Sequence, residues 1–157
     1  MTPILIASDH AGFELKTLLV PFLRELGHEV VDHGALEMNP DDDYPDFIAP
    51  LAREISESGG AKQGIVIGGS GQGEAMVANR FPHVRAIVFA GQPADANGIH
   101  AVKIAREHNN ANVLSLGARF MSETDAKSAV KVFLTTEFSG EARHVRRLKK
   151  IDDMKTL

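Results

Sequence analysis

The sequence predicts a doubly wound, Rossmann-like α/β domain: a five-stranded parallel sheet with helices on both faces. Three observations carry that prediction. Short runs rich in branched apolar residues, of the kind that form buried strands, recur along the chain. Between them lie stretches whose apolar residues fall at helical spacing. Those stretches are long enough for the right-handed crossovers that parallel strands require.

Ile4 to Ala7 is the first strand. Gly12 to Leu26 is the first helix, with Leu15, Leu18, Leu19, Phe22, Leu23 and Leu26 on its apolar face. Pro21 inside it predicts a kink or an early break, and Gly27 closes it. "HEVVD" (28–32) is the second strand, followed by a polar, turn-rich loop, "GALEMNPDDDYP". Phe47 to Ser58 reads as helix and Ile65 to Ile67 as the third strand. The next helix begins near Gly73 and is ended by Pro82. Val84 to Phe89 is the fourth strand, and Ala94 to Glu107 a helix weakened by Gly98. Asn112 to Leu116 is the fifth strand. Ser122 and Asp125 stand in capping-box positions of a helix that runs to Thr136. A last helix spans Glu141 to Met154. No internal repeat, low-complexity tract or linker interrupts the pattern, so residues 1–157 read as a single domain.

The composition narrows the function classes. A formal net charge of −4 gives no general electrostatic support to nucleic-acid binding. The chain has no cysteine, which excludes disulfides, thiolate metal sites and cysteine nucleophiles. The N-terminus, "MTPILIASDH", lacks a basic region and a cleavage-like site, so it reads as a strand and not as a signal peptide. No apolar run approaches the roughly 18 residues of a membrane span. The expectation is a cytoplasmic protein with neither membrane nor nucleic acid as partner.

In doubly wound sheets ligands sit at the carboxyl ends of the strands. The polar residues there are Ser8-Asp9-His10, Gly68 to Glu74, and Gly117 to Arg119. The middle segment, "GIVIGGSGQGEAM", has the glycine spacing of a Walker loop, but Glu74 stands where lysine belongs. Glu74 also replaces the third glycine of a dinucleotide fingerprint, and Gln72 replaces the last glycine of a nucleophile elbow. Backbone N–H groups of such a turn favour an anion, whereas a carboxylate beside them repels a permanent one. The combination suits an anion that exists only mid-reaction: Glu74 takes a proton from carbon, and the N–H groups hold the enolate oxygen. The same residues also fit a tight packing turn with an acid in the first turn of its helix. Burial would raise the Glu74 pKa and a helix N-terminus would lower it.

Other constellations are weaker singly. Asp9 and His10 share a strand end, although Asp9 also fits a helix N-cap. His108, Asn109 and Asn110 cluster before the fifth strand. In "EARHVRRLKK", Arg143 and Arg147 share one helix face, and Arg146 and Lys150 another. Paired guanidinium forks suit a phosphate, and a solvated basic face is the simpler alternative. "NPDDDYP" lacks the spaced ligands and central glycine of a calcium loop, so no metal is expected.

Taken together, "SDHAGFELK", "DDDYPDF", "GIVIGGSGQGEAMVANR", "REHNNANV", "GAR" and "RHVRR" resemble the ribose-5-phosphate isomerase B family, which includes galactose-6-phosphate isomerase subunits. The resemblance runs in order over almost the whole chain. It implies an aldose–ketose isomerase of a small sugar phosphate, first of all ribose 5-phosphate, using no metal or cofactor. In one branch of the family a cysteine ends the third strand and acts as base; here that position is Gly68. Glu74 matches the glutamate base of the other branch. Ser70, Gly71, Gln72 and Gly73 match the turn around the enediolate, and His108 the residue that assists ring opening, with Asn109 beside it. Asp9 and His10 match substrate-contacting positions, with Asp9 expected to assist His108. Arg119, Arg143 and Arg147 match a phosphate clamp. The resemblance further implies a homodimer, or a tetramer built from it, whose subunits share each site. "AGQPADANGIHAVKIA" is several residues longer than the family's usual segment, which leaves open a four- or six-carbon sugar phosphate or an epimerase. A non-catalytic, flavodoxin-like phosphate-binding module is the alternative outside enzymes.

Overall fold

The computed structural model describes residues 2–91 and 97–154. Its strands are β1 (Ile4–Ser8), β2 (Val30–Asp32), β3 (Gln63–Gly68), β4 (Ala86–Phe89) and β5 (Val113–Gly117). Its α-helices are α1 (Phe13–Glu25), α2 (Tyr44–Glu57), α3 (Gln72–Ala78), α4 (Asn97–Asn109), α5 (Glu123–Thr135) and α6 (Ala142–Asp152). The strands form one parallel sheet in the order β2-β1-β3-β5-β4, in which Ile6 pairs with Ile65 and Ile65 with Leu114.

The central strands β1, β3 and β5 bury nearly every side chain, because helices cover both faces. On one face Ile6, Ile65 and Leu114 meet Leu19 and Leu23 of α1, Val102 of α4 and Phe133 of α5. On the other, Leu5, Val66 and Val113 meet Ile48, Leu51 and Ile55 of α2 and Ala78 of α3. The carboxyl ends of β1, β3 and β5 therefore lie side by side, and three polar loops open there.

Several boundaries differ from the sequence expectation for identifiable reasons. Pro21 neither breaks nor ends α1. Helix α2 starts at Tyr44, three residues before Phe47, because Pro45 falls in the first turn, where its missing N–H has no intrahelical partner. Helix α3 stops at Ala78, well before Pro82. The next residue, Asn79, brackets Ala86 of the edge strand with both ends of its side-chain amide, at 2.7 and 3.0 Å. Ser122 and Asp125 form the expected capping box on α5. The expected start of the fourth helix at Ala94, and residues 92–96 of the longer segment before His108, lie outside the described residues.

One buried charge organises the loop after β2. Lys16 is 3% exposed; its Nζ donates to both Asp32 carboxylate oxygens at 2.7 Å and to the Ala35 carbonyl at 2.6 Å. Removing the ammonium would leave the buried Ala35 carbonyl without its donor, whereas Asp32 is exposed and would turn to solvent. Lys16→Met is expected to cost about 1–2 kcal/mol for the unpaired carbonyl, read as a lower urea midpoint.

Candidate active site

The strand ends enclose a cavity of about 270 Å³ lined by Asp9, His10, Tyr44, Ser70, Glu74 and Arg119, with Gly69 and Gly73 of the turn. Two cavities of similar size lie elsewhere, one against Phe81 and Ile151 and one against Phe13 and Val20. Neither contains the glycine turn, so chemistry and not size selects the first.

The turn is shaped by its glycines. Gly71 adopts φ 77°, in the left-handed region, and starts α3. Its carbonyl accepts the buried Ser115 hydroxyl at 2.6 Å and the first intrahelical bond, from the Ala75 N–H, at 3.2 Å. The N–H groups of Gln72, Gly73 and Glu74 thus precede the first intrahelical bond. The Gln72 N–H donates to the Ser70 hydroxyl at 3.3 Å, while the Gln72 side chain is exposed.

Glu74 is 4% exposed. Its carboxyl group lies against Gly68, in the space that a β-carbon at that position would need. Burial pushes the carboxyl pKa up, with the nearby Asp9 carboxylate adding to the rise and the bond from its own N–H opposing it. Of the two directions that the sequence left open, burial wins. A raised pKa keeps the carboxylate basic enough to take a proton from carbon and acidic enough to return it.

Asp9 follows β1 directly and is buried. Its Oδ1 accepts the N–H groups of Ala11 and Gly12 at 2.9 and 3.2 Å, so the capping reading of Asp9 holds alongside its place in the cavity. His10 Nδ1 lies 2.7 Å from Asp42 Oδ1, and that bond chiefly raises the imidazole pKa. Arg119 anchors its N–H on the Gly69 carbonyl at 3.1 Å and lays its guanidinium over Gly69. Asp9, His10 and Asp42 are the one trio among the described residues whose ligand atoms approach closely enough for a cation, all within 4.8 Å. Asp9 Oδ1 and the His10–Asp42 contact are already engaged in the bonds above.

His108, Asn109, Arg143 and Arg147 do not line this cavity. They form a second group on α4 and α6. The His108 ring stacks on His144 with centroids 4.4 Å apart and planes 11° from parallel. His144 is buried, and burial, with the charges of His108 and Arg143, lowers its pKa. Arg143 is exposed and pairs with Glu141 at 2.9 Å; Arg147 and Asn109 are exposed as well. One chain therefore gathers the predicted base, turn and one arginine in one place, and the predicted ring-opening histidine and two arginines in another.

Sequence reasoning missed three residues. Asp42 and Tyr44 were placed in a polar, turn-rich loop without site roles, and the Asp43-Tyr44-Pro45 start of a helix was the signal that would have lifted Tyr44 out of it. His144 was lost among basic residues, although its spacing of four from the apolar Leu148 marks the inward face of α6.

A buried carboxylate with a raised pKa against a glycine turn, on a sheet without a nucleotide-binding signature, is the arrangement that proton-transfer enzymes need. The comparisons with known proteins narrow that class. Residues 4–151 match the model of a family described as ribose/galactose isomerase. The ribose-5-phosphate isomerase B of Mycobacterium tuberculosis is 40% identical over 146 residues, covering 92% of this chain and 85% of that protein. The crystal structure of the Mycoplasma genitalium ribose-5-phosphate isomerase B, with bound ribulose 5-phosphate, superposes with a TM-score of 0.87. It is 36% identical and covers 96% of this chain and 94% of that one. The Clostridium thermocellum enzyme is 39% identical with a TM-score of 0.84, covering 97% and 96%. The chain belongs to the ribose/galactose isomerase family. Among the described residues, no helix is long and apolar enough to cross a membrane.

Proposed function

We propose that this chain interconverts ribose 5-phosphate and ribulose 5-phosphate by proton transfer through an enediolate. The observation that carries the reading is the Glu74 carboxyl, buried against Gly68 at the mouth of the glycine turn with its pKa raised. The Mycobacterium tuberculosis relative is named ribose-5-phosphate isomerase B, and the Mycoplasma genitalium structure of that name holds ribulose 5-phosphate.

The chemistry follows from the geometry. The open-chain aldose presents C2 to Glu74, which removes its proton. Negative charge then grows on the C1 oxygen, and the turn amides around Gly71 and Gly73, with the Ser70 hydroxyl, are placed to hold it; losing one such donor typically costs about 2.7–4 kcal/mol of transition-state stabilisation. The proton of the C2 hydroxyl passes to the C1 oxygen, which shifts the charge to the C2 oxygen, and Glu74 then returns its proton to C1, leaving a C2 carbonyl and a C1 hydroxyl. Asp9 Oδ1 is committed to two N–H groups, so Oδ2 is the atom for a sugar hydroxyl. Arg119 holds the phosphate from within the chain, and binding energy spent there steadies the reacting carbons.

His108, Arg143 and Arg147 complete the site from a second copy of the chain. What supports this is their grouping on α4 and α6, apart from the cavity that holds Glu74. A two-fold homodimer would then have two sites, each built from both subunits, and a tetramer would pair such dimers. Phosphorylated sugars are retained inside cells, which supports a cytoplasmic location.

Two measurements test the reading. In deuterium oxide, the protein should convert ribose 5-phosphate to ribulose 5-phosphate with deuterium entering at C1. Exchange without ketose formation would point to an epimerase, and binding without exchange to a non-catalytic module. Separately, inactive Glu74→Gln and His108→Asn proteins, mixed, unfolded and refolded together, should regain about a quarter of parental activity, because half of the dimers are hybrids with one intact site each. A mixture as inactive as its components would overturn the shared site.

A further inference from the structure

We propose that Asp42 is a positioning residue for His10: it holds the imidazole with Nδ1 turned inward and Nε2 turned to the cavity as a hydrogen-bond donor to the phosphate of the substrate. The inference deepens the reading above and rests on it.

Three observations carry it. A single oxygen, Asp42 Oδ1, sits 2.7 Å from His10 Nδ1 and accepts the His10 backbone N–H at 3.0 Å. Ring and backbone are thus fixed by one atom, which specifies the tautomer as well as the direction of the ring. Second, the Asp42 side chain is only 7% exposed, while Asp41 and Asp43 on either side are exposed. One aspartate of the three is drawn inward at the desolvation cost of a carboxylate, which a solvated loop would not require. Third, Asp42 Oδ2 is buried and has no hydrogen-bond partner among the described residues. A carboxylate left half satisfied favours a positive charge on the histidine beside it.

The groups around His10 come from four elements. Asp42 lies in the loop before α2, Asp9 at the end of β1, Arg119 after β5 and Glu74 on α3. Asp42 and Asp9 favour the imidazolium, Arg119 opposes it, and Asp42 has the largest influence. The folded protein therefore keeps His10 charged to a higher pH than a free imidazole would be. An anionic phosphate between Arg119 and His10 would be held from two sides by donors with fixed directions.

Asp42→Asn keeps the volume and removes the charge. At pH 8 the KM for ribose 5-phosphate is expected to rise about tenfold or more, with kcat changed far less. Below pH 6, where His10 is protonated without help, the KM difference should shrink. The His10 Cε1 proton, followed by NMR, should titrate at lower pH in the variant. Added to His10→Asn, the Asp42→Asn change should have no further effect on KM, since it acts through His10. Equal losses in the single and double backgrounds, or an unmoved His10 titration, would leave Asp42 as a loop anchor and overturn the proposal. The parental protein gives a reading that needs neither a variant nor isomerase activity. There His10 should titrate above the ordinary imidazole value, and higher again with inorganic phosphate. Titration at or below the ordinary value would overturn the proposal, whatever the fate of the reaction assigned above.

Discussion

Glu74→Gln is expected to lower kcat for ribose 5-phosphate by about 10²–10⁴-fold, the usual contribution of a positioned general base. The amide has the shape of the carboxylate, so substrate binding should change little, and exchange of the C2 proton with solvent should fall in parallel. The same substitution should stabilise the fold at neutral pH. Burial raises the Glu74 pKa in the folded state, so the folded protein binds that proton more tightly than the unfolded chain does. Stability is then lost as pH rises from the ordinary carboxyl range through the raised value, and neutral pH lies on the losing side. Glutamine removes the penalty. Thermal melts of the two proteins should diverge at pH 7 in favour of the inactive variant and converge at pH 4. A variant that turns over normally, or that melts lower at pH 7, would contradict the assignment of Glu74 as a buried base.

Gly68→Ala should be nearly as damaging, without touching a reactive group. A β-carbon at position 68 would occupy the volume in which the Glu74 carboxyl now sits. The backbone of Gly68 has no positive φ to strain, and its nearest neighbour is the end of a flexible side chain. The fold should therefore survive while Glu74 swings out of place, and kcat should drop toward that of Glu74→Gln, by about 10²-fold or more. Gly68→Cys makes the test sharper. The family resemblance implies that in the other branch, from which this chain departs at Gly68, a thiol at this place serves as base. The variant should retain more activity than Gly68→Ala, with an alkaline rise that follows a thiol of pKa about 8.5. It should also become sensitive to iodoacetamide, to which the parental chain, having no cysteine, offers no thiol. Full activity in Gly68→Ala would mean that Glu74 does not work from the position seen here.

The sheet was legible in the sequence because its central strands are apolar runs and its helices carry their apolar residues in register. Boundaries were misread where a side chain far along the chain decides them. Asn79 ends α3 by bracketing Ala86, a partner that no local pattern reveals. Within the site, the turn could be read because glycines followed by an acid break every phosphate-loop pattern. Asp42 could not, because three adjacent aspartates are equivalent until the fold buries one. The separation of Glu74 from His108 was implicit in the chain order, because in a parallel sheet a residue after β3 lies at the carboxyl edge and one just before β5 at the amino edge. The relation of Gly68 to Glu74 lay between the two. The resemblance named both positions, but only the structure shows that they compete for one volume.

The stacked rings of His108 and His144 join α4 to α6. On the shared-site reading, this stack makes the lent half of each site a single cassette that carries the ring-opening histidine and two phosphate-binding arginines together. A lone subunit would then lack both functions at once and be silent rather than slow. Specific activity would fall on dilution as dimers come apart, so output would climb faster than protein abundance until assembly saturates. The enzyme would in effect report its own concentration.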